Sequence, residues 1–218
     1  MDLKNRQPLK KTKCAVFFAL FFLCACDLKV RTNVNVSDLL AGNDKIFLSE
    51  LKSEVSSCTD PVDESEASED VFKIQRIVSK NIANSQYTGC TRDFPHSFAV
   101  FSVPASFGEF GSPRNSGEVY RLLRKGTTFY FDFSPQIIRD LEKKNHISLT
   151  LASTIVVAND TNKTIKYKVM AAFVNDTPVI SETLTLAPLQ KAIIRPSDVS
   201  VAMAKNGEPA FFMEIIPE

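Results

Sequence analysis

From residue 28 the chain alternates between apolar and polar positions. Leu28, Val30, Val34 and Val36 share one parity, and Lys29, Arg31, Asn33 and Asn35 the other. That period of two predicts a strand with one buried face. Ser37-Asp38 opens a short helix or turn, and Gly42-Asn43-Asp44 closes it. Over 46–55 the apolar residues Ile46, Leu48, Leu51 and Val55 fit neither period well, and a strand is the expectation. Val71, Ile74, Ile77/Val78 and Ile82 recur at helical spacing and predict an amphipathic helix over 66–83. Strands follow at 97–104 and 127–133, with a short strand or helix at 118–124 between them. Ser134-Pro135 is a helix start, a capping hydroxyl followed by proline at the first helical position. Ile137, Ile138 and Leu141 form that helix's buried face, and Lys143-Lys144-Asn145 close it.

From Ile147 the pattern changes. Segments 147–158, 164–174, 179–186, 192–195, 199–204 and 210–216 read as six short strands separated by turns. Six strands at this spacing suggest a sandwich. The expected fold is therefore α+β and mainly β. It has an amino-terminal α+β lobe over 26–145 and a carboxyl-terminal antiparallel β-sandwich-like lobe over 146–218. With no tryptophan in the chain, an antibody-type core pin is excluded.

The segment before the first strand is of another kind. Lys4, Arg6, Lys10, Lys11 and Lys13 precede nine apolar residues, 15–23, and Leu23-Cys24-Ala25-Cys26 then meets polar Asp27. A basic region followed by a short apolar run is the pattern of a secretory signal. Nine residues fall far short of the roughly 20 that a membrane-spanning helix needs. The tetrapeptide resembles a bacterial lipobox, although Cys24 stands where a small residue is usual. The resemblance implies removal of residues 1–25 as a lipoprotein signal peptide and attachment of diacylglycerol to the Cys26 sulfur. Acyl chains there would hold the protein on a membrane. If the resemblance extends to enteric lipoproteins, Asp27 in the second mature position implies retention in the inner membrane, facing the periplasm. A strand starting at Leu28 leaves almost no tether, so the domain should sit close to the bilayer.

This reading changes the meaning of the charge. The whole chain is at +1, but five basic residues and one acid lie before residue 26, leaving 21 basic and 24 acidic residues and a net charge of −3. No basic surface argues for nucleic acid. Cys14 and Cys24 would leave with the signal, so Cys58 and Cys90 alone remain for the domain. An even pair in an oxidising compartment predicts a disulfide. Neither cysteine sits in a Cys-x-x-Cys pair, and neither has a histidine at ligand spacing, so no metal site is expected.

Catalytic chemistry finds little support. The two histidines, His96 and His146, lie outside any recognisable motif, and no phosphate-binding glycine loop or nucleophile elbow is present. No catalytic residue and no cofactor is expected. The acid-rich stretch 60–70 lacks the ladder of a calcium loop and reads as the approach to a helix, its acids complementing the helix dipole. Arg121, Arg124 and Lys125 form a basic cluster that could touch lipid headgroups but more often marks a solvated face. Phe107 and Phe110, with the glycine-containing loop 108–117, are the candidates for an exposed contact patch, or for a loop folded back on the core. The Asn-x-Thr triplets at Asn159, Asn162 and Asn175 read as turn chemistry.

Taken together, Cys26-Asp-Leu-Lys-Val-Arg-Thr-Asn-Val, Ser37-Asp38-Leu39, the Cys58/Cys90 pair and Phe173-Val-Asn-Asp-Thr-Pro-Val resemble small uncharacterised lipoproteins of enteric bacteria and their prophages. The resemblance implies no catalytic residues. The expected function is a non-catalytic envelope binding or interaction module, held to a membrane through lipid on Cys26, with an envelope protein as a possible partner. The competing expectations are a periplasmic hydrolase with His96 or His146 as base, and a structural envelope lipoprotein.

Overall fold

A single strand joins the two halves of the sequence. In the computed structural model, which describes residues 26–217 apart from 116, 146 and 147, β1 (Cys26–Asn35) lies between β2 (Lys45–Val55) and β7 (Leu149–Ala158). It is antiparallel to β2, with Leu28 opposite Ser53, and parallel to β7 along its whole length, from Cys26↔Leu149 to Asn35↔Ala158. Residues 1–25, on which the expected signal peptide and most of the expected lipobox fall, and His146 lie outside the described residues.

The remaining strands extend this trio into a closed circuit. β2 pairs with β4 (His96–Glu109), β4 with β5 (Tyr120–Lys125), β5 with β6 (Thr128–Phe133), and β6 with β11 (Ala210–Ile216). β11 pairs with β8 (Ile165–Val174), β8 with β10 (Lys191–Pro196), and β10 returns to β7. Two strands stand off this ring: β3 (Gln86–Asp93) against β4, and β9 (Thr177–Leu186) against β8. Both host strands divide one edge between two partners. β8 gives β11 residues 166–168 and β10 residues 172–174, and the change falls at Ala171, whose φ is +47°.

The α+β, mainly β class is what the protein has. The expected division at residue 146 into two lobes is not, because one sheet runs through both halves and the ten-residue β1–β7 ladder crosses the boundary. Alternation along a strand shows which face is buried; it carries no information about which distant strand lies alongside. The expected strand 199–204 is also corrected, to helix α4 (Asp198–Lys205). Ser197 caps it by accepting from Ser200 N, and Val201 and Ala204 form its buried face at helical spacing. Val199 and Val201 imitated a period of two.

The other elements follow their sequence signals. α1 (Val36–Ala41) ends at Gly42, whose φ of +67° suits a residue without Cβ. α2 (Glu69–Asn81) starts at Ser68, whose hydroxyl accepts from Val71 N, and buries Val71 and Val78. α3 (Pro135–Asn145) follows Ser134, whose hydroxyl accepts from Ile137 N. The 46–55 segment is a strand whose period was obscured from both sides. Ser49 and Ser53 face inward with Leu51 and Val55, while Ile46 and Leu48 point out.

The core is one continuous cluster. Inward residues of the ring, such as Leu28, Val30, Leu51, Phe101, Leu122, Phe131, Ile155 and Ile194, join Leu39, Val71, Val78, Ile138 and Val201 from the helices. The interior also holds polar groups in pairs. Thr32 Oγ1 lies 2.7 Å from Ser49 Oγ, and Tyr120 Oη 3.0 Å from Ser153 Oγ. The expected disulfide is present: Cys58 and Cys90 are bonded, with Cα atoms 5.6 Å apart. Closing a loop across 32 positions of sequence stabilises the fold by about 3 to 4 kcal/mol on the chain-entropy account.

Candidate functional site

β2 and β4 run the length of the barrel in unbroken register, from Val55↔Ser97 to Lys45↔Phe107. The two ends they connect differ. At the first end β1 and β7 begin, level with one another at Cys26 and Leu149. At the second end β4 finishes, β5 passes alongside it and the chain between them forms a lid, leaving an open groove of about 330 Å³.

The groove is built from outward-facing positions. Arg121 and Leu123 of β5 lie opposite Ser106 and Gly108 of β4. Residues 110–115 and 117–119 fold back over them and are fastened by a buried ion network. Asp132 of β6, 2% exposed as a side chain, accepts from Arg121 Nε at 3.0 Å and from Arg114. Arg121 Nη1 also donates to Ser112 O at 2.8 Å, and Arg114 Nη1 to Glu118 O at 3.1 Å. The buried Glu118 carboxylate accepts from Ser106 Oγ at 2.9 Å and from Asn115 Nδ2 at 2.7 Å. Burial lowers the pKa of the Arg114 guanidinium and the Asp132 charge opposes that; an arginine beside a carboxylate stays charged. Two guanidinium groups on one carboxylate thus hold the lid at a fixed distance from the sheet.

Asp44, Ile46, Phe107, Pro113 and Leu123 line the space with Arg121 at its side. Ile46 and Leu48, on successive outward positions of β2, are 69% and 67% exposed and extend an apolar rim along the barrel wall. Lys45 at the mouth pairs with Asp38 at 2.7 Å. Arg121's donors are already engaged by Asp132 and Ser112. The groove is therefore suited to hold an apolar side chain beside polar backbone, its Ser106 hydroxyl being engaged by the buried Glu118 carboxylate.

The residues singled out from the sequence are dispersed. Phe107 is buried in the core, whereas Phe110 is at the surface, edge-on to Tyr130 at 5.0 Å. β4 runs on to Glu109, so the loop is shorter than the expected 108–117. The basic cluster does not share one face. Arg121 and Arg124 lie on opposite faces of β5. Arg121 is in the ion network, Arg124 donates to Gly126 O at 2.8 Å and Leu40 O at 3.2 Å, and Lys125 lies over the Phe110 ring. His96 is at the other end of the barrel, its Nδ1 2.6 Å from Glu54 Oε1. Among the described residues, no hydroxyl or thiol bonds to its ring.

The acid-rich stretch is mostly turn. Asp60 Oδ1 accepts from Val62 N at 2.7 Å, and Asp63 Oδ1 from Ser65 N at 2.9 Å; the Ser65 hydroxyl and amide lower the Asp63 pKa. Only Glu69 and Asp70 occupy the first turn of α2. No group of three metal-ligating side chains forms among the described residues. Asn159 carries the expected turn chemistry. Its Nδ2 donates to Lys163 O and Leu186 O, and its Oδ1 accepts from Thr161. Asn175, at φ +48°, accepts from Ile193 N through Oδ1. Asp27 is half-buried on β1. The ion network escaped sequence reading, although one signal was there: Asp132 is an unaccompanied acid between Phe131 and Phe133 in an aromatic strand.

A family model described as a domain of unknown function (DUF7424) matches residues 28–216, most of the chain, which belongs to that family. No curated protein and no solved structure matches it. No helix among the described residues is long and apolar enough to cross a membrane.

Proposed function

We propose that this DUF7424 chain is a lipid-anchored binding module of a bacterial or prophage-encoded envelope system. Lipid on Cys26 holds it to the inner membrane facing the periplasm, and the groove under the 110–119 lid is presented to an envelope protein. The observation that carries this reading is the opposition of two ends. β1 begins at Cys26, and β2, antiparallel to it, begins at the groove with Lys45 and Ile46. An eleven-residue strand separates the ends by about 30 Å along its length. Lipid at Cys26 would leave the groove pointing away from the bilayer.

Other features support the same reading. The order of basic region, nine apolar residues, Leu23-Cys24-Ala25-Cys26 and Asp27 suits a lipoprotein precursor. The Cys58–Cys90 bond suits an oxidising compartment. The absence of slack between Cys26 and β1 suits a domain held close to its membrane. The partner would offer an apolar side chain to the groove and cover Ile46 and Leu48.

Labelled palmitate tests the anchor. Wild type and Cys24→Ala should incorporate it and Cys26→Ser should not; equal labelling of all three would remove the reading. A photo-crosslinking residue at position 46 tests the display. It should yield a defined adduct that position 180, more exposed but on β9, does not; the same adducts at both positions would count against the groove.

A further inference from the structure

Phe94 is 99% exposed. It sits with Pro95 at the tip of the β3–β4 hairpin, whose last pair is Asp93↔His96. Single exposed apolar side chains are common and carry no message by themselves. What distinguishes Phe94 is its place. Ser97 is level with Val55. The β1–β2 register, Leu28↔Ser53, brings Val55 level with Cys26 when continued by two residues. The hairpin tip is therefore at the end of the barrel where β1 begins. It lies two strands across from Cys26, roughly 10 Å, and extends roughly 10 Å past its level.

The tip cannot fold back to cover the ring. The hairpin is paired down to its two-residue turn. Cys90 is bonded to Cys58, Arg92 Nη2 donates to Thr59 Oγ1 at 3.1 Å, and His96 is held by Glu54. An aromatic side chain is thus carried on a stiff support fastened at three points.

We infer that Phe94 is a membrane-contacting side chain that enters the headgroup–acyl boundary beside the lipid on Cys26 and fixes the tilt of the domain. The inference rests on the anchoring reading above. Apolar side chains of surface-bound proteins bury about 5 to 10 Å into that boundary, which is the reach of this tip. One lipid attachment point leaves the barrel free to swing; a second contact about 10 Å away removes most of that freedom. The contact is apolar rather than charge-driven. At the end of the hairpin Asp93 and the Glu54 carboxylate bonded to His96 stand beside Arg92, so no basic patch favours anionic lipid.

The absence of tryptophan from the chain gives a clean test. Phe94→Trp is compared with Leu189→Trp, which replaces an 88% exposed residue in the turn before β10, at the opposite end where Lys191 pairs with Ala158. The full-length lipoproteins are reconstituted into phosphatidylcholine vesicles, with and without brominated acyl chains. Phe94→Trp emission should shift to the blue and lose at least half its intensity to the bromine, equally when phosphatidylglycerol is added. Leu189→Trp should do neither. Water-like, unquenched Phe94→Trp emission in protein that carries palmitate and sediments with the vesicles overturns this inference and leaves the anchor standing. A blue shift without bromine quenching assigns Phe94 to a protein contact and overturns it too. Quenching that needs anionic lipid overturns the apolar contact. Loss of palmitate and of sedimentation in both variants removes the anchor and this inference together.

Discussion

The Tyr120 hydroxyl lies 3.0 Å from Ser153 Oγ inside the barrel, linking β5 to β7 across the core. Both residues are buried, and burial pushes the Tyr120 phenol well above its ordinary pKa, so it stays neutral. The bond matters because each hydroxyl would otherwise be isolated among Phe131, Phe133 and the aliphatic wall.

Tyr120→Phe should therefore cost about 1 to 3 kcal/mol, the range for leaving a buried partner unsatisfied. Adding Ser153→Ala should recover part of that loss, because both polar groups are then gone. Urea denaturation checks this through the midpoint at constant slope. A double variant less stable than either single one would contradict it.

Asp132 carries a larger stake. Asp132→Ala leaves the Arg114 and Arg121 guanidinium groups, 17% and 14% exposed as side chains, without their shared carboxylate. Breaking a buried ion pair from one side costs about 3 to 5 kcal/mol. The lid from Phe110 to Val119 should also loosen, since Arg121 holds Ser112 and Arg114 holds Glu118. Trypsin should then cleave the folded variant at Arg114 well before wild type. Unchanged stability and unchanged cleavage would show that the network does not hold the lid.

Stability should fall in acid partly through Glu142. Its pKa is lowered: burial pushes it up, but Lys205 Nζ at 2.6 Å and Leu149 N at 3.1 Å outweigh burial by favouring the anion. Asp160, bonded by Ser37, is lowered too. A carboxylate whose folded pKa lies below its unfolded one stabilises the protein above the unfolded value, and that contribution disappears as pH falls through the folded one. Glu142→Gln should be less stable than wild type at pH 7, and the difference should vanish as pH drops from about 5 to about 3. Melting temperatures across that range decide it; a difference that stays constant would assign the effect to packing.

What could be read from the chain, and what could not, divides by range. Alternation at Leu28–Val36, the helical spacing from Val71 to Ile82 and the Ser134-Pro135 cap are local signals, and each produced the expected element. The Cys58–Cys90 bond followed from export and from the even pair that remains once Cys14, Cys24 and Cys26 are set aside. Local ambiguity explains α4, where Val199 and Val201 suggest a strand and the Ser197-Asp198 cap a helix. The short β3 carries no clear alternation and passed unseen. The closed circuit and the groove are different in kind. They depend on β1 meeting β7 and on Arg114 reaching Asp132, and nothing near those residues names the partner.

The parallel ladder between β1 and β7 also sets an order of events during synthesis. Cys26 to Asn35 emerges early, with β2 soon after to cover one side. The other side is completed only by Leu149 to Ala158, more than a hundred residues later, and until then its backbone donors and acceptors face water. Such distant pairing makes for slow folding. The ring's last closures, β10 on β7 and β11 on β6 and β8, come later still. Ring closure therefore waits for the last strand, and a chain halted before residue 210 has a barrel with a gap in its wall.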